Sequence, residues 1–468
     1  MENRYDVIIV GAGPAGIFSA LELVNKREDL KILLVDKGKL IQDRNCPIVN
    51  KQSNKCLNCS SCSIVSGFGG AGTASDGKLT AGKGYGGRLE EYIGDEYFNQ
   101  LLDEVVNTYI QFGADDKYYE PNQDLANEVI RNGAKVGLKV IPAKVRHMGT
   151  DASRIILNNI YDYLKDKITI LMNSTVTTFL TYDENIIQGI VVNDKDYYFS
   201  SNIILAPGRD GATWLDTVIK SFNIPIISMP VDIGVRVEVS NDICQYLTDQ
   251  FYELKVLYNT PTYDDRCRTF CMNPSGYVVT EYNKSQDIVI VNGHSLKNQK
   301  SNNTNFSILV TKNFTEPFND PINYATHISR LANMLAGGNI LIQRLGDLKN
   351  GRRSTHSRIE RGMVQPTFNA EPGDLSLVLP HRYVTDILEF LDALNEIIPG
   401  INHSDTLLYG IEIKLYSLRP QLNNDLSVPN FTNNNLYMIG DASNVSRGIL
   451  QASASGIVAA RSIIERMN

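Results

Sequence analysis

The residues best suited to chemistry near the N-terminus are three glycines and one aspartate. Gly11, Gly13 and Gly16 have the spacing G-x-G-x-x-G, and Asp36 follows twenty residues after Gly16. In such a turn the first glycine permits a tight bend, the second lets the backbone approach a pyrophosphate, and the third lets a helix pack closely on a strand. The aspartate is placed to accept hydrogen bonds from an adenosine ribose. The spacing therefore predicts a bound dinucleotide.

Three cysteines form a second group with possible chemistry. Cys56, Cys59 and Cys62 are separated by two residues each, and three thiolates at this spacing can converge on one metal centre, as in iron–sulfur ligation. A fourth ligand could come from Cys46, Cys267 or Cys271. Cys59 and Cys62 could instead act as a redox-active pair, and a structural zinc site or a loop of unligated thiols are the remaining alternatives.

A basic run lies in the middle of the chain, formed by Arg352, Arg353, His356, Arg358 and Arg361. Such runs are usually solvated faces, and recognition of an anion or carboxylate is the alternative. We take His356 from this run as a candidate catalytic residue, whereas His147 is expected to be structural.

The elements around the glycine turn must position it. Tyr5 to Val10 is a mostly apolar run typical of a parallel strand covered on both faces. Ile17 to Lys26 has helical periodicity, and a second apolar run, Lys31 to Val35, ends at Asp36. The helix N-terminus would offer N–H groups and a positive dipole end to the phosphates.

Two later segments, Gly67 to Gly72 and Gly82 to Gly87, repeat the glycine pattern without a clear strand before and a helix directly after. We predict loops at both, the first beside the bound nucleotide. Asp76 and Lys78 follow the first segment. A lysine there could stabilise charge near a reactive ring, and a solvated turn is the alternative.

Length and charge limit the class of protein. A chain of 468 residues is expected to form two or three lobes. Its formal net charge of -7 gives no reason to expect a nucleic-acid partner. Val7 to Val24 is apolar and about as long as a membrane span, but its glycines and Pro14 favour a strand–turn–helix. We expect a cytoplasmic protein with no transmembrane segment.

The N-terminal unit resembles the FAD-binding fold of the glutathione-reductase type. Ile203 to Gly208 resembles the strand and small-residue turn that return to the dinucleotide in that superfamily, and Leu436 to Asp441 resembles the strand whose aspartate binds the ribityl chain. The final helix, about Ile449 to Met467, would point its N-terminus at the flavin O2 region and stabilise negative charge there. The resemblance implies that the dinucleotide is FAD.

A narrower resemblance covers most of the chain and concerns a group of bacterial, largely uncharacterised FAD-dependent dehydrogenases. It implies FAD and redox chemistry, and no particular substrate. The matching segments are Ser66–Gly72, Ser75–Leu79, Arg146–Asp151, Gly234–Glu238, Arg268–Met272, Gly440–Ser443 and Arg447–Ile449. The group often has a second cysteine and two glycines where Asn273 to Gly276 stand here, which puts any cysteine pair at that place in doubt.

The two resemblances imply a set of cofactor-binding residues at the glycine turns and strand ends. These are Gly11, Gly13, Pro14, Ala15, Gly16, Asp36, Lys37, Gly69, Gly70, Gly72, Asp76, Lys78, Val176, Ala206, Gly208, Gly440, Asp441, Gly448 and Ile449. Val176 falls where the superfamily contacts adenine through its backbone. Lys78 and Arg447 join His356 as candidate catalytic residues.

The predicted architecture is α/β, a Rossmann-like FAD-binding domain with an inserted α+β substrate or cap domain. The FAD-binding domain comprises residues 1–85, 145–215 and 405–468. A helical insertion comprises residues 86–144. The cap domain, with an antiparallel sheet, comprises residues 216–404. Asp151 is the expected N-cap of a helix that ends near Lys165.

The expected function is an FAD-dependent oxidoreductase that acts on a small organic molecule, with the cysteine cluster as a possible electron relay. No second Rossmann unit is evident, so NAD(P)H would bind only transiently, and a partner protein could supply electrons. The alternatives are a thiol or disulfide redox enzyme that uses Cys56 to Cys62, and a non-redox flavin-binding or RNA-modifying protein.

Overall fold

The computed structural model describes residues 3–47, 50, 52, 57, 59–74, 78–81, 87–116, 122–142, 144–147, 150–183, 186–251, 254–283, 286–295, 299–318, 320–414, 418–431 and 435–467. The chain divides into two compact units. Unit 1 comprises Met1–Tyr119, Lys144–Ile227 and Ser417–Asn468, and unit 2 comprises Glu120–Ala143 and Ser228–Tyr416. Strands and helices are numbered separately in chain order.

Unit 1 is built on a five-stranded parallel sheet. Its strands, in spatial order, are β22 (Leu436–Met438), β10 (Ile203–Leu205), β1 (Val7–Val10), β2 (Ile32–Val35) and β6 (Thr169–Leu171). Every residue of β1 is buried, with Val7 and Ile9 in one apolar core and Ile8 and Val10 in another. The uninterrupted apolar run in the sequence therefore reflects a strand covered on both faces.

The helices of unit 1 are α1 (Pro14–Lys26), α2 (Leu89–Ile93), α3 (Asp95–Gln111), α5 (Thr150–Leu164), α6 (Ala212–Ser221) and α12 (Ile449–Met467). The first and last of these pack directly on each other. A Cβ at Gly456 of α12 would lie 2.2 Å from the Ala15 carbonyl oxygen of α1, and Ser19 Oγ donates to the Gly456 carbonyl at 3.1 Å. A glycine at 456 is therefore needed for the two helix backbones to approach this closely.

Smaller sheets complete unit 1. A three-stranded antiparallel sheet of β7 (Val176–Asp183), β8 (Ile186–Val192) and β9 (Asp196–Phe199) lies in sequence between β6 and β10. Two strand pairs accompany it: β3 (Lys78–Ala81) with β5 (Lys144–His147), and β11 (Ile226–Ile227) with β21 (Arg419–Pro420).

Unit 2 contains an eight-stranded sheet that is antiparallel except for the pairing of β18 with β19. Its spatial order is β19 (Glu371–Pro372), β18 (Leu341–Arg344), β20 (Leu407–Lys414), β12 (Val231–Ser240), β17 (Asn303–Lys312), β14 (Arg266–Asn273), β13 (Leu254–Asn259) and β4 (Lys139–Pro142). β15 (Tyr277–Asn283) and β16 (Ile288–His294) form a hairpin. The helices are α4 (Gln123–Lys135), α7 (Asn241–Thr248), α8 (Pro321–Leu335), α9 (Leu345–Lys349), α10 (His356–Glu360) and α11 (His381–Leu394).

The predicted α/β class is confirmed, as a Rossmann-like parallel sheet with a second, mixed-sheet domain. The helical insertion predicted for residues 86–144 is wrong as a separate body, because α2 and α3 belong to unit 1 whereas α4 belongs to unit 2. The observed units also change at Tyr416 and Ser417 rather than near residue 405. Asp151 lies within the first turn of α5, which begins at Thr150, and is therefore not its N-cap.

Within the part of the chain that the structure describes, no helix combines the length and the hydropathy needed to cross a membrane.

Candidate functional site

Two glycines of the first turn are required by the protein's own packing. Gly11 has φ +108°, and a Cβ there would lie 2.1 Å from the Ala206 carbonyl oxygen, at the end of the neighbouring strand β10. A Cβ at Gly16 would lie 1.9 Å from the Gly11 carbonyl oxygen and 3.2 Å from Ile9 Cγ2. These contacts join the turn to β10 and hold α1 against β1.

Gly13, unlike Gly11 and Gly16, is not required by the protein's own packing. Its φ of −78° is open to any L-residue, and a Cβ built on it would meet no atom within 4 Å. It is also the N-cap of α1, where it has no side chain to accept from the helix N–H groups, and Pro14 follows it. The fold therefore does not require a glycine at position 13, and leaves open the space that its side chain would fill.

The end of β10 and the loop before α12 have similar open positions. Gly208 and Gly448 have φ +64° and +82°, and a Cβ on either would also meet nothing within 4 Å. Here the backbone itself favours glycine, so these two residues are weaker indications of a ligand than Gly13.

Asp36 connects three loops. Its carboxylate accepts hydrogen bonds from the N–H groups of Ala12 at 2.8 Å, Gly38 at 2.7 Å and Gly67 at 2.9 Å. An ionised carboxylate has about four acceptor positions, so the contact to ribose expected from the sequence would use the remaining capacity. The sequence reasoning predicted the ligand contact and missed these three structural bonds.

Lys37 is engaged within the protein. Its Nζ lies 2.6 Å from Asp210 Oδ2, and Ser66 Oγ donates to the same oxygen at 2.6 Å. Burial raises the pKa of Asp210, yet the bonds from Lys37 and Ser66 hold it below its ordinary value. Lys37 therefore ties the end of β2 to the segment after β10, a role different from the cofactor contact expected of it.

The second glycine segment lies against the first. Gly69 N–H donates to the Ala12 carbonyl at 2.8 Å, and a Cβ at Gly70 would lie 3.0 Å from the Gly13 Cα. A Cβ at Gly72 would be 3.7 Å from both Pro14 Cγ and Ile449 Cδ1. Residues Gly70–Ala74 form a short 3₁₀ helix where a loop was predicted. Of the other predicted glycine loop, Gly82 to Gly87, residues 82–86 lie outside the described part of the chain, as do Ser75, Asp76 and Gly77.

Arg44 is a site residue that the sequence reasoning missed. It is 4% exposed, and its guanidinium donates to the carbonyls of Ser63 at 3.0 Å and Phe68 at 2.9 Å and to Thr73 Oγ1 at 2.6 Å. Burial lowers its pKa to about 10, while Asp36 acts in the opposite direction. Arg44 thus organises the segment that leads into the second glycine turn, and its buried position has no local sequence signal.

Asp441 follows β22, as predicted from the sequence. Its side chain is 15% exposed and accepts from Ser446 Oγ at 2.8 Å and from Gly448 N–H at 3.4 Å. Burial raises its pKa, and the positive charges of Arg209 and Arg447 partly oppose that shift. Gly440 lies beside α1, since its Cβ would be 3.3 Å from Ala15 Cβ. The end of β22 therefore lies close to the start of α1, with β10 between β22 and β1 in the sheet.

The backbone gives the positions of two other residues that the sequence predicted to bind the cofactor, Val176 and Lys78. Val176 begins β7, and the preceding Ser174 N–H donates to the Asp36 carbonyl at 2.9 Å, which brings this strand start close to the ribose candidate. Lys78 begins β3 and pairs with His147 of β5. The side chains of Lys78 and His147 are outside the described part of the chain, so their roles stay predictions.

The third catalytic candidate is in the other unit. His356 is exposed at the start of α10 in unit 2, so it does not belong to the unit that carries the glycine turns. Two arginines of the basic run around it form ion pairs within the protein. Arg352 Nε lies 2.8 Å and Arg358 Nη1 3.6 Å from Oδ1 of the buried Asp347. Its solvated-face interpretation is thereby modified: these arginines neutralise a buried carboxylate.

The cysteine cluster is only partly described. Cys46 and Cys62 are partly buried, Cys59 is exposed, and each is a free thiol. Cys56 lies outside the described residues. Among the residues that are described, no three His, Cys, Asp or Glu side chains lie together in a way that could hold a metal ion. The predicted metal site therefore stays a prediction. The possible fourth ligand Cys267 is buried in unit 2.

Fold and site together define an α/β protein with a dinucleotide-type glycine turn. Residues 230–415 match a family model described as the C-terminal domain of FAD-dependent proteins. This match covers the strands β12 to β20 of unit 2. A search of curated proteins found no match to the chain.

Solved structures similar to this chain include three that carry the names of redox enzymes. They are a geranylgeranyl bacteriochlorophyll reductase-like protein from Thermoplasma acidophilum (12% identity, 100% of this chain and 79% of that one, TM-score 0.37), a formate oxidase variant from Aspergillus oryzae (11%, 99% and 98%, 0.48), and a glycine oxidase from Geobacillus kaustophilus (12%, 99% and 95%, 0.38).

Proposed function

We propose that the protein is an FAD-dependent oxidoreductase that acts on a small organic molecule. The observation that carries the proposal is the geometry of Gly13. Neither its φ nor any neighbouring atom requires a glycine, so the missing side chain is best explained by a ligand that approaches the backbone. At the start of a helix that follows a parallel strand, a pyrophosphate is the ligand that fits.

FAD is favoured over other dinucleotides by two further features. Asp441 stands between β22 and α12, where the glutathione-reductase-type fold that this chain resembles has the aspartate for the ribityl chain. The match of residues 230–415 to a domain of FAD-dependent proteins supports the same cofactor. When bound, FAD would supply reversible transfer of a hydride or two electrons.

The chain's own residues would divide the work of holding this cofactor. The N-terminus of α1, with Gly13 and Ala15, would bind the pyrophosphate, and Asp36 would use its remaining acceptor capacity for the ribose. Gly69 to Gly72 would close one side of the phosphate turn, since Gly69 is bonded to Ala12. The first N–H groups of α12, near Ile449, would stabilise negative charge on reduction.

A role of the cysteines in electron transfer is a second proposal within this function. Cys59 is exposed and Cys62 partly buried, and the segment from Cys62 is held by Arg44, whose guanidinium reaches the Ser63 carbonyl. Such a site suits either a cluster relay or a dithiol, as part of a redox enzyme. Iron and sulfide analysis of anaerobically purified protein distinguishes a cluster from a dithiol, because a pair of cysteine thiols contains neither iron nor inorganic sulfide.

The described cysteines are free thiols. Because reducing compartments keep thiols in this state, we propose that the protein is located in the cytoplasm. The electron donor would be a protein partner or transiently bound NAD(P)H, and no nucleic-acid partner is proposed at this net charge.

The test of the main proposal is cofactor identification followed by reduction. We expect the purified protein, or protein reconstituted with FAD, to release FAD on heating and to bleach anaerobically with dithionite and with a physiological reductant such as NADH or NADPH. A chain that binds no FAD contradicts the cofactor. A bound flavin that no reductant bleaches contradicts redox function and favours a structural or RNA-modifying role.

A further inference from the structure

The first turn of α12 carries a buried amide side chain to which the proposed function assigns no role. Gln451 is 3% exposed, and its Oε1 is buried with no hydrogen-bond partner among the described residues. An unpaired buried acceptor costs free energy, and folded proteins retain few of them. A ligand that brings a hydrogen-bond donor would remove this cost.

Other buried polar side chains of the same helix do have partners. Ser453 Oγ lies 3.2 Å from the Tyr109 hydroxyl. Ser455 Oγ accepts from the Gly440 N–H at 3.2 Å. Each of these serines bonds to another element of unit 1, which makes it part of the packing of α12. Gln451, one turn nearer the start of the helix, has no such bond and is therefore not explained by packing.

The side chain of Gln451 lies at the N-terminal end of α12. Helical side chains lean toward the N-terminus of their helix, so Gln451 is directed back over the residues that precede Ile449. A Cβ at Gly87 would overlap Gln451 Oε1 and would also lie 2.9 Å from the backbone nitrogen of Arg447. The amide therefore lies beside the backbone that leads into the helix.

This end of α12 is also where residues assigned to the cofactor come together. Gly448 lies three positions before Gln451, on the same helix face, and a Cβ there would meet no atom within 4 Å. The Gly448 N–H donates to Asp441 Oδ2 at 3.4 Å. Ile449 Cδ1 would be 3.7 Å from a Cβ at Gly72 of the second glycine segment. The unpaired amide thus lies near open space and near the proposed cofactor residues.

The chemistry of the amide restricts which part of the cofactor it can bind. A glutamine side chain offers an acceptor oxygen and a donor NH2 group next to each other. Phosphate oxygens bring only acceptors and cannot satisfy Oε1. The oxidised flavin ring has a single N–H group, at N3, between the C2 and C4 carbonyls. A carboxamide can accept from N3–H and donate to a neighbouring carbonyl at the same time.

We propose that the Gln451 carboxamide binds the pyrimidine edge of the flavin ring, with Oε1 as the acceptor for N3–H. This proposal rests on the proposed FAD-dependent function, because it assigns one residue of that site. The bond would orient the ring against the start of α12. It also explains why the chain keeps a buried amide that its own fold leaves unpaired.

The test compares FAD with FAD methylated at N3, which lacks the ring N–H. Flavin fluorescence on reconstitution of the apoprotein measures both dissociation constants. We expect the unaltered protein to bind FAD at least tenfold more tightly than the methylated form. Gln451→Met, similar in length but without the amide, should bind FAD at least fivefold more weakly and prefer it by less than about threefold. Gln421→Met, at an exposed position of unit 1, is the matched control and should keep the full preference.

A second variant and a stability measurement separate binding from folding. Gln451→Asn keeps the amide but shortens the side chain by one methylene, so it should lose the preference as Gln451→Met does. The Tm of Gln451→Met apoprotein should equal or exceed that of the unaltered apoprotein, because the unpaired amide is removed. A preference for FAD over its methylated form that is retained in both variants overturns the contact.

The same measurements distinguish this contact from the proposed function. Protein that binds and reduces FAD without a preference over the methylated form refutes the contact and leaves the oxidoreductase. A preference that depends on Gln451, in protein whose flavin no reductant bleaches, refutes the oxidoreductase and leaves the contact. Protein that binds neither flavin refutes both.

Discussion

The carboxylate of Asp36 accepts a hydrogen bond from the N–H of Gly67 at 2.9 Å, which joins the end of β2 to the second glycine segment. The same side chain accepts from Ala12 at 2.8 Å in the first glycine turn. One acid therefore fixes the relative position of the two turns that we assign to the cofactor, in addition to its expected contact with the ribose.

Asp36→Asn tests this double role. The amide keeps one acceptor oxygen and places an NH2 group against backbone donors, so bonds to a charged acceptor worth about 1.5–3 kcal/mol each are lost. We expect FAD affinity, measured by flavin fluorescence on reconstitution, to fall at least tenfold. Asp6→Asn is the control, because Asp6 accepts from a single N–H, that of Lys31 at 2.7 Å, at the opposite end of the sheet. Equal losses in the two variants would contradict the assignment.

Gly13→Ala and Gly16→Ala should separate binding from stability. Alanine at 13 meets no protein atom within 4 Å, whereas at 16 it would lie 1.9 Å from the Gly11 carbonyl oxygen. Gly13→Ala should leave the free energy of unfolding of the apoprotein within about 0.5 kcal/mol and abolish FAD binding. Gly16→Ala should lower the free energy of unfolding by about 1–3 kcal/mol or more. Normal FAD binding by Gly13→Ala would refute the phosphate site.

Asp441→Asn should change how stability depends on pH. Since burial raises the folded-state pKa of Asp441, its contribution is present below its ordinary pKa and is lost as pH rises through the raised value. The apoprotein variant should therefore gain Tm relative to the unaltered apoprotein as pH rises from 4 to 7. Thermal unfolding at several pH values measures this. A Tm difference between the two proteins that is constant with pH, or that shrinks, would show that ionisation of Asp441 does not destabilise the folded protein.

Arg236→Met should be among the most destabilising substitutions in unit 2. It leaves the fully buried Glu412 without its bidentate partner, and breaking such pairs costs about 3–5 kcal/mol. Chemical denaturation should show this loss. The double variant Arg236→Met/Glu412→Met should recover most of it, because the buried carboxylate that lost its partner is then also removed. If the double variant is no more stable than the single one, packing around Arg236 matters more than charge.

Local sequence patterns were sufficient to predict the first strands, the first helix and the last helix of unit 1. Apolar runs next to glycines identify β1, β2 and α1, and the final helix has the expected bounds, Ile449–Met467. The reason is that each signal lies within one short stretch of chain. The packing roles of Gly11 and Gly16 could also be assigned in advance, because the spacing of the turn fixes which backbone approaches which neighbour.

Long-range features escaped prediction for physical reasons. Helical periodicity is the same whichever core a helix covers, so α3 and α4 could not be assigned to different units. Arg44 binds carbonyls about twenty residues away, and no spacing rule describes such a contact. The alternation around Arg236 normally indicates a solvated face, and only the tertiary structure reveals that this polar face is buried.

The packing of Gly456 on Ala15 has a consequence for biosynthesis. α12 covers α1, and β22 pairs with β10, so unit 1 is completed by residues that lie hundreds of positions apart in the chain. Domains generally fold as units while the chain emerges. All of unit 2 is therefore synthesised before unit 1 can close, and the first glycine turn, which precedes unit 2 in the chain, meets α12 and β22 only after unit 2 has been made.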